Sequence, residues 1–152
     1  AFSGPLNVTD KYGSFTPENY VPIFKKFGVD LVVRLNKLNT TAEFIKSGIK
    51  HLDLYFLDGT PPPDDIVDKF LDAAEKEKGG IAIHCKAGLG RTGSLIALYC
   101  MKHFGFPPQA FIGWIRIARP GSILGPQQNY LCSMDARMMA IGGEQKRREL
   151  MA

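Results

Sequence analysis

The sequence predicts an α/β domain with a central, mostly parallel sheet flanked by helices. Three observations carry this. Strand-like apolar runs alternate with segments of helical period up to Cys85, the order that builds parallel strands joined by crossover helices. A glycine-rich turn over residues 88–93 joins a short apolar strand to a helix. Beyond it come helical segments divided by prolines and glycines, with no further strand. We expect a short sheet of four or five strands with helices on both sides.

The first residues, Phe2-Ser3-Gly4-Pro5 and onward, read as an irregular entry segment. Pro17 suits the first position of a helix with Thr16 as N-cap. That helix carries Tyr20, Ile23, Phe24 and Phe27 and stops at Gly28. Residues 29–35 form a buried strand, 41–46 a short helix ended by Gly48, and 51–57 a second strand closed by Asp58-Gly59-Thr60 and three prolines. Asp64 or Asp65 caps an amphipathic helix with Ile66, Val67, Phe70, Leu71 and Ala74 on one face, ended by Gly79-Gly80. Residues 81–83 form a third strand. The helix after Gly93 carries Leu95, Ile96, Leu98 and Tyr99 and ends at Gly105. A further helix covers residues 109–118, and Pro126 starts the last one, with Tyr130 and Leu131. The charged tail, residues 141–152, is expected to fray.

At 152 residues and 16.8 kDa the chain suits one domain, residues 1–152. With 45% hydrophobic and 22% charged residues it is not disordered. Its apolar runs are too short for a transmembrane helix, and no basic stretch leads into an apolar one at the start, so no membrane segment or signal peptide is expected. The net charge of +4 is too mild to imply nucleic acid. Cys85, Cys100 and Cys132 form no CxxC pair, and only His51, His84 and His103 accompany them. Neither a disulfide framework nor a metal site is expected, and two of the three thiols read as small buried ones in a reducing compartment. The carboxylates are unevenly spread: residues 78–134 contain no Asp or Glu but hold Lys78, Lys86, Arg91, Lys102, Arg116 and Arg119. Such a segment suits an anion.

The informative stretch is His84-Cys85-Lys86-Ala87-Gly88-Leu89-Gly90-Arg91-Thr92-Gly93. It formally contains GxGxxG, but a dinucleotide site wants an acidic residue about 20 positions on, and none precedes Asp135. The Gly-Lys-Ser/Thr ending of a Walker loop is absent. What remains is Cys-x5-Arg followed by a hydroxyl residue. A six-residue turn over a helix N-terminus aims its N–H groups at one point. Lys86, Ala87, Gly88, Leu89, Gly90 and Arg91 would form this cradle for a phosphate-like anion. Gly88 and Gly90 allow the curl, and the fork of Arg91 can take two phosphate oxygens. Cys85, at the floor, should ionise below the ordinary thiol range and attack phosphorus in line. His84 would orient the loop and help lower the Cys85 pKa through hydrogen bonding. Thr92 would donate to the sulfur when it leaves.

His-Cys-x-x-Gly-x-x-Arg-Thr at 84–92 resembles the signature of cysteine-dependent tyrosine and dual-specificity protein phosphatases. The longer match over 83–93 is similar to the Cdc14 phosphatases. So are Phe2-Ser3-Gly4-Pro5, Val32-Val33-Arg34-Leu35-Asn36-Lys37, Tyr55-Phe56-Leu57-Asp58-Gly59-Thr60, and the run from Arg119-Pro120-Gly121 to Gln127-Gln128. The resemblance covers the catalytic half of that family and no second domain. It implies a protein tyrosine phosphatase-like fold, no cofactor, phosphoprotein substrates and a phosphocysteine intermediate. It also implies a place in the nucleus or cytoplasm, including spindle, centrosome or basal body. Oligomeric state is not implied.

A proton donor for the leaving oxygen is needed. Asp58 ends a strand, enters a proline-rich loop and matches the family's general-acid position; Asp64 and Asp65 are rivals that fit capping better. Gln127 or Gln128 would hold the hydrolytic water, with Gln127 favoured. Arg116 or Arg119 would bind substrate or brace the cradle, although Arg116 also suits plain solvation. Asp53 reads as a solvent-facing strand residue. Only Lys86 adds charge inside the loop, which favours a phosphoprotein over a phosphoinositide. An RNA triphosphatase and a non-catalytic phospho-binding module are the alternatives.

Overall fold

A computed structural model describes residues 1–6, 10–13, 15–37 and 42–152. The first helix, α1 (Pro17–Lys26), begins where Asn19 Oδ1 accepts the Thr16 N–H at 2.8 Å. Pro17 sits at its start, where a missing N–H costs nothing. Strand β1 (Val29–Arg34) follows, then helix α2 (Ala42–Lys46) and strand β2 (Lys50–Asp53). Thr41, expected to open α2, lies outside the described residues.

Helix α3 (Asp64–Lys76) leads into strand β3 (Gly80–His84). The sheet is parallel, in the order β2-β1-β3, with Val32 facing His51 on one side and Ala82 on the other. It therefore has three strands among the described residues, not four or five. Phe2 adds only an isolated parallel bridge to His84.

The second strand ends at Asp53 instead of Leu57, and the cause is tertiary. Leu54 N–H still reaches Arg34 O at 2.9 Å. One step on, Phe56 N–H reaches Leu35 O at 3.4 Å, and the carbonyls of Leu35 and Phe56 both accept from the Arg91 side chain as well, so regular strand pairing gives way to bonds with the guanidinium.

Capping also departs from expectation at α3. Pro63, in extended conformation, precedes the helix, and Asp64 and Asp65 occupy its first turn. There they favour the positive end of the helix, and Asp64 also pairs with Arg137 at 2.7 Å. The helix stops at Glu77, before the glycines.

Helix α4 (Gly90–Phe104) ends on Gly105, which adopts φ +67°. It is followed by α5 (Pro108–Ala118), α6 (Pro126–Ser133), α7 (Asp135–Met138), a π-helical turn (Met139–Gly143) and α8 (Glu144–Met151). Helix α6 is thus not the last. The tail expected to fray is helical and tethered. Arg147 donates to Gly105 O at 3.1 Å and Phe106 O at 3.2 Å and pairs with Asp135 at 2.6 Å.

The sheet is covered on both faces. Val32, Ala82 and Ile49 pack with Phe2, Phe24 and Phe44 beside α1 and α2. Leu31, Val33 and Ile83 meet the larger cluster built from α3 to α6. All five expected apolar positions of α3 are buried. No described helix is long and apolar enough to cross a membrane.

Candidate active site

The site forms where β3 ends and α4 begins. Cys85 follows His84, the last residue of β3, and is 3% exposed. Gly88 N–H points back to its sulfur at 3.3 Å. Gly88 adopts φ +72°, and a Cβ there would stand 2.1 Å from Phe2 O, so both curl and packing demand glycine.

The Cys85 thiol is held below its ordinary range. Burial pushes it up. The Thr92 hydroxyl and the N–H groups of Thr92, Leu89 and Gly88 more than offset that. Thr92 Oγ1 is buried and outside strict hydrogen-bond geometry to any partner, so its proton is free to turn to the sulfur. Cys100 is half-buried, its thiol pushed up to about 11 by burial alone. Cys132 is exposed, against the expectation of a second buried structural thiol. All three cysteines are free.

Arg91 is 4% exposed. Its Nη1 donates to Leu35 O at 3.3 Å and Phe56 O at 3.1 Å. Its Nε lies 3.4 Å from Asp58 Oδ1. The guanidinium is held from behind by the segments that follow β1 and β2, and Arg91 lines the cleft in front. This cleft, about 920 Å³, is bordered by Tyr20, Asn36, Tyr55, Asp58, Lys86 and Arg91 among others. Lys86 and Ala87 are exposed, Leu89 is half-buried, and Gly88 and Gly90 are buried.

His84 is 1% exposed, and its Nδ1 lies 3.1 Å from the Cys85 carbonyl, to which the neutral ring donates. Burial lowers its pKa to about 4. Its hydrogen bond therefore steadies the loop backbone. The expected bond that lowers the thiol comes instead from Thr92 and the loop amides.

Gln127 is fully buried. Its Oε1 accepts Leu124 N–H at 2.9 Å, and its Nε2 donates to Thr60 O at 3.2 Å. It ties the Asp58 loop to the start of α6. A Cβ on Gly90 would stand 2.9 Å from the same Oε1, so Gln127 abuts the cradle. Gln128 is half-buried.

Both arginines act on loops. Arg119 donates to Gly88 O at 2.7 Å and Ala87 O at 3.0 Å. Arg116, though exposed, donates to Ser122 O at 3.0 Å and Ile123 O at 2.8 Å. That turn is strained, since β-branched Ile123 sits at φ +63°. Its N–H bonds Leu89 O at 3.3 Å, coupling the strain to the cradle. Asp53 faces solvent and pairs with Arg34 at 2.6 Å. Asp64 and Asp65 do not border the cleft. Among the described residues no group of three His, Cys, Asp or Glu could hold a metal ion.

Two features had no chemical reading in the sequence. Residues 2–4 lie against the loop, and Asn36 borders the cleft with a buried Oδ1 that has no partner. Both segments stood out only as blocks of resemblance.

A family model described as a polymorphic toxin system DSP-PTPase phosphatase matches residues 11–105. Human dual specificity protein phosphatase CDC14A is 50% identical over 146 residues, 93% of this chain and 25% of its own length. Tyrosine-protein phosphatase CDC14 of Saccharomyces cerevisiae is 50% identical over 112 residues, 71% of this chain and 20% of its own. The chain thus spans about a quarter of the length of such curated relatives. Among solved structures, a mutant form of Tk-PTP superposes with a TM-score of 0.71 at 25% identity, covering 84% of this chain and 90% of that one. A kinase associated phosphatase with serine at its catalytic cysteine reaches 0.77 at 19% identity, a likeness of fold, over 91% of this chain and 85% of that one.

Proposed function

We propose, from the premise that this chain belongs to the DSP-PTPase phosphatase family, that it hydrolyses phosphotyrosine and phosphoserine or phosphothreonine in proteins through a phosphocysteine intermediate. The observation that carries this reading is the Cys85 sulfur at the floor of the loop, with Gly88 N–H aimed at it from 3.3 Å and its thiol held below the ordinary range by Thr92 and the amides of 88, 89 and 92.

The anion binds in the cradle of residues 86–91, with two oxygens on the fork of Arg91. The thiolate attacks phosphorus while the ester P–O bond breaks, and Asp58 supplies the proton to the departing oxygen. A Cys85 S–P bond has then replaced the O–P bond. In the second step Asp58 takes a proton from water. The water oxygen bonds to phosphorus, and the thiolate leaves with Thr92 donating to it. Gln127 holds the Asp58 loop in place and, with one end freed, that water. Positioning and fixed dipoles supply the rate.

We favour phosphoproteins because Lys86 alone adds charge inside the loop, and the cleft walls are tyrosines as well as polar groups. Family resemblance adds phosphoserine followed by proline as a candidate site beside phosphotyrosine. We read its place of work as inside the cell, nucleus or cytoplasm. The test is turnover of p-nitrophenyl phosphate, phosphotyrosine and phosphoserine-proline peptides, phosphoinositides and triphosphate-ended RNA, each with and without EDTA. Peptide turnover that survives EDTA and is lost in Cys85→Ser is expected. Turnover surviving in Cys85→Ser overturns the mechanism, and preference for lipid or RNA overturns the substrate class. Binding without turnover favours the phospho-binding module.

A further inference from the structure

We infer that residues 2–4, together with Arg119, form the positioning frame of the phosphate loop, holding its carbonyls outward so that its N–H groups converge on the anion and on Cys85. The inference rests on the phosphatase reading above and names what sets that site.

The argument is one of peptide geometry. In each trans peptide unit the C=O of one residue points opposite to the N–H of the next. A loop whose N–H groups converge must therefore splay its carbonyls outward. Carbonyls turned into protein need donors, or the arrangement loses free energy. Here the donors come from outside the loop, one after another. Cys85 O receives His84 Nδ1 at 3.1 Å. Lys86 O receives Gly4 N–H at 2.9 Å. Ala87 O receives Ser3 Oγ at 3.1 Å and Arg119 Nη2 at 3.0 Å. Gly88 O receives Arg119 Nε at 2.7 Å.

The last two bonds fix the peptide units that carry the N–H groups of Gly88 and Leu89. Those are two of the groups that act on the sulfur.

The frame is itself anchored. Phe2 is buried between Tyr20, Phe24 and His84, with ring centroids at 4.8, 5.1 and 4.8 Å. Its N–H bonds Ile83 O at 3.1 Å. Arg119 Nη2 also reaches Ser3 Oγ at 3.3 Å, linking the two parts. Contact is close enough to exclude side chains. A Cβ on Gly4 would stand 2.4 Å from Cys85 O, and one on Gly88 2.1 Å from Phe2 O. Ser3 and Gly4 also border the substrate cleft, so one segment is both wall and frame.

The test reads the sulfur directly. Alkylation of Cys85 by iodoacetamide, followed by peptide mass mapping, is measured against pH in the full chain. In Gly4→Val the frame is pushed off the loop. The midpoint for Cys85 should rise by about one unit, and kcat/KM for p-nitrophenyl phosphate should fall about tenfold to a hundredfold. Ser3→Ala should shift both in the same direction by less, and Ser3→Thr, which keeps the hydroxyl, should move the alkylation midpoint less than Ser3→Ala does. An alkylation profile for folded Gly4→Val that overlays the original overturns the inference. If Gly4→Val does not fold, the Ser3 pair decides: identical profiles for Ser3→Ala and Ser3→Thr overturn it. Failure of the original chain to turn over any phosphate ester would overturn the phosphatase reading alone, since the alkylation comparison does not depend on turnover.

Discussion

Asp58 holds its carboxylate oxygen 3.4 Å from Nε of Arg91 while its own side chain remains mostly exposed at the edge of the cleft. The pair joins the loop after β2 to the first turn of α4. In the mechanism we propose, an anion taking the fork of Arg91 would compete for that contact and leave the carboxyl beside the bound ester.

Asp58→Asn should therefore cost about 10² to 10⁴ in kcat for phosphoserine peptides, the range of a general acid. The loss should shrink for aryl esters whose leaving groups depart unprotonated. The alkaline limb of the pH–rate profile should disappear and the acidic limb stay. Steady-state kinetics over a leaving-group series checks this. The same pattern in Asp64→Asn, with Asp58→Asn unchanged, would move the role elsewhere.

Arg91→Lys should be severe although charge is kept. A lysine cannot bridge two phosphate oxygens while also reaching Leu35 O and Phe56 O. We expect a fall of about 10² to 10³ in kcat/KM, comparable to losing an oxyanion donor. A smaller melting temperature is expected too, because the Phe56 carbonyl loses its Arg91 donor and the Leu35 carbonyl keeps only Phe56 N–H. Activity within a factor of a few of the original would contradict the role of the fork.

His84 makes stability depend on pH. Its folded pKa is about 4 against 6.5 for a free imidazole. Between those values the unfolded chain binds a proton and the folded chain does not, so stability falls as pH drops from 6.5 toward 4. The loss reaches about 3 kcal/mol at the acid end, and nothing is lost above pH 6.5. Urea unfolding of the original and of His84→Asn across this window isolates it from the carboxylates. Parallel curves would rule it out.

Arg147→Ala should lower stability by about 2 kcal/mol, since it removes charged bonds to Asp135 and to the carbonyls of Gly105 and Phe106. Catalysis should be untouched, because none of these groups borders the cleft. Thermal melting and hydrogen exchange of α8 measure it, and an unchanged melt would mean the tether carries no weight.

What could be read from the chain alone was local. Cys85, Arg91 and Thr92 lie within eight positions, and a strand–turn–helix of that spacing has few ways to curl, so the cradle was legible. The apolar face of α3 and the alternation of strands and helices were legible for the same reason: periodicity repeats every few residues. Asp58, which we propose as the general acid, could be singled out because it stands between an apolar strand-like run and three prolines.

What was not legible depends on partners far along the chain. The end of regular pairing after β2 coincides with Arg91 donating to carbonyls 56 and 35 residues before it. The docking of α8 follows from Arg147 meeting Gly105, 42 residues away. Burial of Gln127 follows from Thr60, at a separation of 67. Ser3 and Ala87, 84 residues apart, meet because the sheet brings the entry segment beside β3. A carbonyl turned outward by a curled loop must find a donor, but which donor is a question of packing. Only the folded chain, in which distant segments compete to satisfy the same buried polar groups, answers it.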